Sequence, residues 1–535
     1  MGCSKHGSTL PPAFNLSYTV NGVNNGTTTY QVSPTAPVIR LSFSAPLPAS
    51  VPASLFSFFG PGNVAVPFTT ALGSGDSVLT VQPTGALATF SQYTFSVSVG
   101  LTSAAGGTLS NPVSLHLNTG LDSTDKFPRV SDSALLTMVE QQTFKYFWDF
   151  GHPDCGMARE RNTSGDVVTT GGSGFGIMSI VVGVYRSFIT RAEALARVQQ
   201  IVTFLTDSAQ RYHGAFPHWI NGSTGATVPF STQDDGADIV ETAYLMEGLL
   251  TARQFFNSPT DPGEIQLRAG INALWAGVDW NWFRQNGQNT LYWHWSPDYA
   301  WSTNQQVNGW DEALITYVVA ASAPDTAIPK LVYDNGWAGN GSIRNGSAYY
   351  GVTLPLGPAE GGPLFFAHYS FLGLDPRRIS DAYANYWVQD TAHAAINFRY
   401  CVANPLHYNG YSASCWGLTA SDDNVSGYAA HSPTNDLGII SPTAAISSLP
   451  YTPDASMDAL RFFYYTLGDK LWGQYGFVDA FNLTNTWFAA SYLAIDQGPE
   501  IVMIENYRSG LLWNLFMSCP EINTGLQNLG FQISH

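Results

Sequence analysis

This chain has little charge, and least of the positive kind. Only 11% of its 535 residues are charged, against about a quarter in ordinary soluble domains. Its 22 Lys and Arg are outnumbered by 39 Asp and Glu, so the net charge is -17 at pH 7. A surface built to neutralise phosphates is excluded, and with it nucleic acid as a partner. Anionic polysaccharides and anionic membranes fit no better. Long apolar runs are also missing. The longest near the C-terminus, from Ile501, is interrupted by Glu505 and Arg508, and no segment reads as transmembrane. Cysteine is scarce, at five residues, and no pair has zinc-site spacing, although Cys401 and Cys415 are near enough to close a loop. His218 and His368 have no partner at metal-ligand spacing and read as core histidines. Gly171 to Gly176 lacks the lysine of a phosphate loop. No metal and no cofactor is implied.

What the chain does have is aromatic residues, 13% of the total. Ring faces and uncharged polar groups grip neutral sugars, so this composition suits a carbohydrate cleft, though many rings must belong to the core. Cys3, in Cys-Ser-Lys directly after Met1-Gly2, resembles the acylated first residue of a mature bacterial lipoprotein. A periplasmic, extracellular or cell-surface location with a lipid anchor at Cys3 is the expectation.

Two regions follow different periods. Residues 11–119 alternate with period two, as in Tyr93, Phe95, Val97 and Val99 separated by Thr94, Ser96 and Ser98. Short strands broken by Gly and Pro turns predict a β-sandwich. Residues 1–10 form a tail and 120–131 a linker. From 132 to 535 the period is helical. Six mostly apolar helices are predicted at 174–188, 237–256, 311–321, 362–372, 442–448 and 500–517. Amphipathic helices at 132–150, 192–210, 263–282, 379–400 and 453–467 lie between most of them. Greasy and amphipathic helices in alternation predict an (α/α)6 barrel, an inner ring of six wrapped by an outer ring. No outer helix is clear after 321. Each inner helix is preceded by a turn rich in Gly, Asp or Asn, so polar groups converge on one rim.

That rim carries carboxylates. Asp234, Asp238 and Glu241 are spaced four and three residues apart, which predicts one helical face. Asp235 points about a quarter-turn away. Any one acid at a helix start is an ordinary cap; a stripe of three is not, because like charges repel. Glu312 follows Trp310 by two residues, and an indole neighbour desolvates a carboxyl toward general-acid duty. A pair of carboxyls is what glycoside hydrolysis needs. Carboxylates on different helices favour the wider separation of roughly 6.5–9.5 Å that gives inversion. Candidate sugar platforms are Trp295 and Trp301 in the aromatic run 292–301, Trp310 beside Glu312, Trp416 in the run 408–416, and Asn482 near Trp487.

Several longer motifs resemble glycoside hydrolase family 144, the bacterial β-1,2-glucanase family. They are Glu140-Gln141-Gln142-Thr143-Phe144-Lys145-Tyr146-Phe147-Trp148, the stretch 169–176, the acidic stripe, the turn 361–369, His431-Ser432-Pro433-Thr434-Asn435-Asp436, and the stretch 504–513. The resemblance runs from about 134 to the end. It implies an (α/α)6 barrel that hydrolyses β-1,2-glucan, mostly with inversion, and acidic residues corresponding to Asp234, Asp238 and Glu241, with Glu312 as a further candidate. His368, Tyr369, His431 and Asp436 in its motifs are candidate substrate contacts. The first region resembles bacterial Ig-like modules. The expected activity is endo-β-1,2-glucanase, with Glu312 as general acid. One of Asp234, Asp238 and Glu241 positions or deprotonates the water, and the sequence does not rank them. An end-acting, sophorose-releasing hydrolase is the alternative, ahead of a polysaccharide lyase or a glycan-binding protein. A monomer is expected.

Overall fold

The computed structural model describes residues 14–534, so Cys3 lies outside the described residues. The chain divides into two compact units, Met1–Thr124 and Asp125–His535.

The first unit is a sandwich of two sheets. One has strand order β1 (Leu16–Val20), β3 (Ile39–Phe43), β7 (Val78–Pro83) and β6 (Phe68–Gly73). The other runs β2 (Thr28–Val32), β9 (Val113–Thr119), β8 (Gln92–Val97), β4 (Phe56–Gly60) and β5 (Val64–Ala65). Pairing is antiparallel except for β2 with β9. Period-two alternation sends Ile39, Leu41 and Phe43 inward while Arg40 stays exposed. Leu41, Val81, Phe95 and Leu117 meet at the centre, fully buried. Phe95 touches Phe58 edge-on at 5.8 Å and Phe68 at 6.0 Å, geometries that aromatic quadrupoles favour.

The second unit is helical. Its inner ring contains α2 (Thr170–Tyr185), α4 (Ile239–Phe255), α6 (Leu314–Ser322), α9 (Pro442–Ser447) and α12 (Ala494–Ser509). Around it lie α1 (Asp132–Trp148), α3 (Arg191–Asp207), α5 (Pro262–Ala276), α8 (Tyr386–Ala403) and α10 (Pro453–Arg461), with the single-turn α11 (Gly468–Leu471) following α10. Helices α2 and α4 are buried around nearly their whole circumference, as a helix lacking a polar face must be. They meet backbone to backbone. A Cβ at Gly174 would fall 2.1 Å from the Tyr244 carbonyl oxygen, and one at Gly248 2.1 Å from that of Gly174. The small residues of these two segments therefore set how tightly the ring closes.

The ring departs from the sequence prediction in three places. Segment 362–372 is not an α-helix but two 3-10 turns, Leu364–Ala367 and Tyr369–Phe371. Gly361 and Gly362 enter it at φ 94° and 89°, and the His393 ring sits where a Cβ of Gly361 would lie. The helix predicted over 500–517 starts at Ala494 and breaks at Gly510, φ 71°, into α12 and α13 (Leu511–Met517). The missing outer helix comes from the chain end: α14 (Pro520–Leu529) packs on α6, where Gly525 lies against Ser322. The short α7 (Lys330–Asn335) lies against α14. Cys155, Cys401, Cys415 and Cys519 are buried free thiols, so Cys401 and Cys415 close no loop.

Candidate active site

The acidic stripe is not a helical face. Helix α4 begins at Ile239, and Asp234 and Asp238 precede it. Ala237 and Asp238 pair as a short antiparallel strand with Trp295 and His294. Gly236 presses so closely on that strand that a Cβ would fall 2.2 Å from the Trp295 carbonyl oxygen. Strand pairing holds the stretch extended until Asp238, which caps the helix.

That cap saturates Asp238. Its Oδ1 accepts the backbone N–H groups of Val240 and Glu241, both at 2.9 Å. Its Oδ2 accepts His218 Nδ1 at 3.0 Å and Trp293 Nε1 at 3.3 Å. Burial opposes the charge, but the hydrogen bond from His218 and the neighbouring imidazoles outweigh it and lower the Asp238 pKa. An acid so fully partnered anchors its neighbours; it has no lone pair left for water. Asp234 is buried, with Oδ1 3.2 Å from His294 Nδ1. Burial works against a charge on His294, yet Asp234 and Asp238 raise its pKa.

Glu241 lies in the first turn of α4. Its Oε2 accepts Gly171 N–H at 2.7 Å and Thr169 Oγ1 at 3.5 Å. A Cβ at residue 171 would stand 2.6 Å from that oxygen, so a side chain there would push the Glu241 carboxyl out of place. Oε1 lies 3.9 Å from His218 Nε2. Burial, opposed in part by His218, raises the Glu241 pKa. Glu312 sits in the turn before α6 rather than on the helix. Its carbonyl oxygen accepts the hydroxyls of Tyr244, at 3.2 Å, and Ser370, which fixes the residue. Burial, reinforced by the charges of Glu241 and Asp238, pushes the Glu312 carboxyl up to about 7.

Glu241 and Glu312 line one cavity of about 450 Å³. Asp234 and Asp238 stand behind its wall and are not among the lining residues. Rings supply much of the surface, from Trp219, Phe230, Trp293, Phe365, Tyr369 and Tyr428. Phe230 and Tyr428 are 50% and 43% exposed, so each offers a face to solvent. Arg161 also lines the cavity, its guanidinium held by Glu160 at 2.9 Å and Asp422 at 3.1 Å. Outside the lining, burial raises Asp496 well above the carboxylate range and Asp479 to about 7. Among the described residues, His218, Asp234 and Asp238 each bring one potential ligand atom within 4.8 Å of the others, a donor set able to hold a cation.

Of the other sequence candidates, Tyr369 lines the cavity. Trp295 and Trp301 pack on Trp282, with centroids 5.3 and 4.7 Å away, outside the lining. Trp310 is buried and donates Nε1–H to His393 Nδ1 at 3.2 Å. Trp416 is fully buried and donates to the Ala455 carbonyl at 3.2 Å. His368 is buried against Ser448 Oγ at 3.0 Å, and burial pushes its pKa down to about 3. His431 is buried 3.7 Å from Asp423. Asp436 accepts Tyr411 at 2.7 Å and Tyr400 at 2.9 Å, and Asn482 accepts the N–H groups of Thr484 and Asn485; both brace loops. Sequence reasoning missed His218, Trp219, Phe230, Trp293, Tyr428 and Arg161. The aromatic run held the one usable signal, for Trp293.

Comparisons with known proteins agree with this fold. The Glycoamylase family model matches residues 304–520, and a bacterial Ig-like domain model matches 16–119. A curated relative from Parabacteroides distasonis, an exo beta-1,2-glucooligosaccharide sophorohydrolase (non-reducing end), is 47% identical over 423 residues, covering 75% of this chain. The chain spans only 58% of that relative's length. The structure of an endo-beta-1,2-glucanase from Chitinophaga pinensis matches with TM-score 0.73 and 50% identity, over 76% of this chain and 99% of the other. A beta-1,2-glucanase structure from Parabacteroides distasonis matches with TM-score 0.73 and 39% identity, over 94% of this chain and 72% of the other. With its helical ring, its rim of carboxylates and these relatives, the chain belongs to the glucoamylase-like barrels of glycoside hydrolase family 144, with a bacterial Ig-like domain ahead of the barrel.

Proposed function

We propose that this protein hydrolyses β-1,2-linked glucan, cutting within the chain and inverting the anomeric centre. The observation that carries the proposal is that Glu241 and Glu312 share one ring-walled cavity. Glu312, with its pKa near 7, is protonated often enough at neutral pH to give its proton to the leaving oxygen. Glu241 is the carboxylate that takes a proton from water. Asp238 has its acceptor sites filled, and Asp234 stands outside the lining. Supply of the two carboxylates by different elements supports inversion. The polarimetric sense of the first product tests that part directly.

Release of sophorose from a chain end is the second reading, supported by the name of the curated Parabacteroides relative. A time course on linear β-1,2-glucan with products resolved by length separates the two. A ladder of mixed oligosaccharides means internal cleavage, and sophorose alone from the earliest point means end action. No product from folded protein removes both. A monomer, lipid-anchored at Cys3 and located in the periplasm or outside the cell, completes the proposal.

A further inference from the structure

A hairpin with strands Ala420–Asp423 and Gly427–Ala430 forms part of the cavity wall. Its register pairs Ala420 with Ala430 and Asp422 with Tyr428, so these four side chains share one face of the hairpin. Ala420, Tyr428 and Ala430 line the cavity. Asp422 anchors that face. Its carboxylate accepts Arg161 Nη1 at 3.1 Å and the Ser491 hydroxyl, and its own N–H donates to Asp479 Oδ2 at 2.7 Å. Asp423 ties the tip of the hairpin by accepting the N–H groups of Val425 and Ser426. In the set that lines the cavity only Tyr428 is large, and the two alanines add no more than methyl groups beside its ring.

Arg161 is the one Lys or Arg among the lining residues. Its Nε donates to Glu160 at 2.9 Å and its Nη1 to Asp422. Nη2 has no hydrogen-bond partner among the described residues, and the side chain keeps 30% of its surface exposed. A planar guanidinium held at two of its three nitrogens aims the third with little further loss of freedom. Two carboxylates already face this one cation, and burial holds Asp479 and Asp496 toward the neutral form. No positive charge is left over for an anion, so the free N–H groups suit a neutral hydroxyl.

We infer that Arg161 and Tyr428 form a glucosyl-binding corner of the cavity, in which the Tyr428 ring stacks on the face of one sugar unit and Arg161 Nη2 donates to a hydroxyl of that unit. The inference rests on the reading of the cavity as the glucan site. Asp422 brings the two together, as the cross-strand partner of Tyr428 and the ion partner of Arg161. The Tyr428 hydroxyl lies among Asp496, Asp479, Asp422 and Arg161, while the residue as a whole is 43% exposed. The phenol end is turned to the charged cluster, and the ring face is what remains for a sugar. Neither residue moves a proton in the reaction. Both act on binding, so their loss raises KM and leaves kcat in place.

The test measures binding of a purified β-1,2-glucooligosaccharide by calorimetry in Glu312→Gln, which is expected not to cut it. Adding Tyr428→Ala should raise Kd about tenfold, or about 1.4 kcal/mol, the size of an aromatic stacking contact. Tyr428→Phe keeps the ring and should stay within about twofold. Arg161→Lys keeps the charge but loses the fork, and should raise Kd about fivefold, the size of one hydrogen bond. With Glu312 restored, Tyr428→Ala should show the same rise in KM on linear β-1,2-glucan and a kcat within about twofold of wild type. An unchanged Kd in both Tyr428→Ala and Arg161→Lys overturns the inference. Tyr428→Phe binding as weakly as Tyr428→Ala overturns the stacking, and a fall in kcat at unchanged KM overturns the binding role. Tyr428 is exposed enough for its variants to fold, so they decide the matter should Arg161→Lys not fold. Folded wild-type protein that neither binds nor cuts the glucan fails at the earlier step: the reading of the cavity falls, and this inference with it. Cleavage by the wild type with no loss of binding in the variants fails here alone.

Discussion

The sandwich and the barrel treat ionisable groups in opposite ways. Among the described residues, the buried polar side chains of the sandwich, Thr29, Ser103, Asn118 and Thr119, are all uncharged. The barrel buries Glu140, Glu247, Asp390, Asp479 and Glu500 with no exposed surface at all. A lone buried carboxylate is costly enough that it usually takes a proton instead, and burial duly lifts Glu247 and Asp390 well above the carboxylate range and Glu500 to about 8. A two-layer sandwich has one thin core, and each inward position is needed for apolar contact. A double ring of helices has interior to spare, so it can carry groups that weaken it. The destabilised carboxyls of the active cavity belong to that same population.

The strongest test of this contrast removes apolar volume from the sandwich. Phe95 is fully buried among Phe56, Phe58 and Phe68. Phe95→Ala should destabilise the sandwich by about 3–5 kcal/mol, seen as an early, separate transition in calorimetry, while glucan hydrolysis stays at the wild-type rate. Lost activity would show that the two units are coupled. Next in size is Glu312→Gln. It should fold normally and lose turnover on β-1,2-glucan by a factor on the order of 10², about 2.7 kcal/mol of barrier. Near-normal turnover would remove Glu312 from the mechanism.

A smaller effect appears as pH dependence. Glu500 Oε2 accepts the Thr143 hydroxyl at 2.7 Å, and burial raises its folded pKa to about 8. Between about pH 4.5 and 8 the folded barrel therefore holds a proton that the unfolded chain has released. Stability must fall as pH rises through that window, by roughly 1.4 kcal/mol per pH unit for one such group. Because Glu247, Asp390 and other buried barrel carboxyls are raised as well, Glu500→Gln should lessen the slope measured by denaturant unfolding between pH 6 and 7 by roughly 1.4 kcal/mol per pH unit without abolishing it. The sandwich, which among the described residues buries no such carboxyl, should show no such slope there. Equal slopes in the two units would break the contrast.

The same contrast explains what was legible in the sequence. In the sandwich each side chain's direction follows from its place in a two-residue alternation, so the inward set around Phe95 can be read directly. In the barrel, six apolar segments could be located, but not the turn of Gly361 and Gly362 that leaves 364–371 too short for an α-helix, nor the return of α14 to cover α6. At the site, the carboxylates stood out by type and spacing, and Glu241 and Glu312 do meet in one cavity. The spacing argument itself was wrong, because strand pairing with His294 and Trp295 holds Asp238 off the helix. His218 lies 20 residues before Asp238 on another loop, and no local pattern announces that meeting. Rings cannot be sorted into wall and core from composition. In the run 292–301, Trp293 reaches the cavity while Trp295 and Trp301 pack on Trp282.

Trp416 gives the mildest test of that last distinction. Its indole has no exposed surface, and its N–H is spent on the Ala455 carbonyl. A sugar platform needs an open ring face; a core ring needs only volume and one partner for its N–H. Trp416→Phe keeps most of the volume and loses that hydrogen bond. The expected cost is about 1 kcal/mol of stability, with KM for β-1,2-glucan within about twofold of wild type, since twofold is under 0.5 kcal/mol of binding. A KM raised tenfold with unchanged melting would instead place Trp416 against the substrate, and would mean that the barrel opens at the 408–416 run when glucan binds.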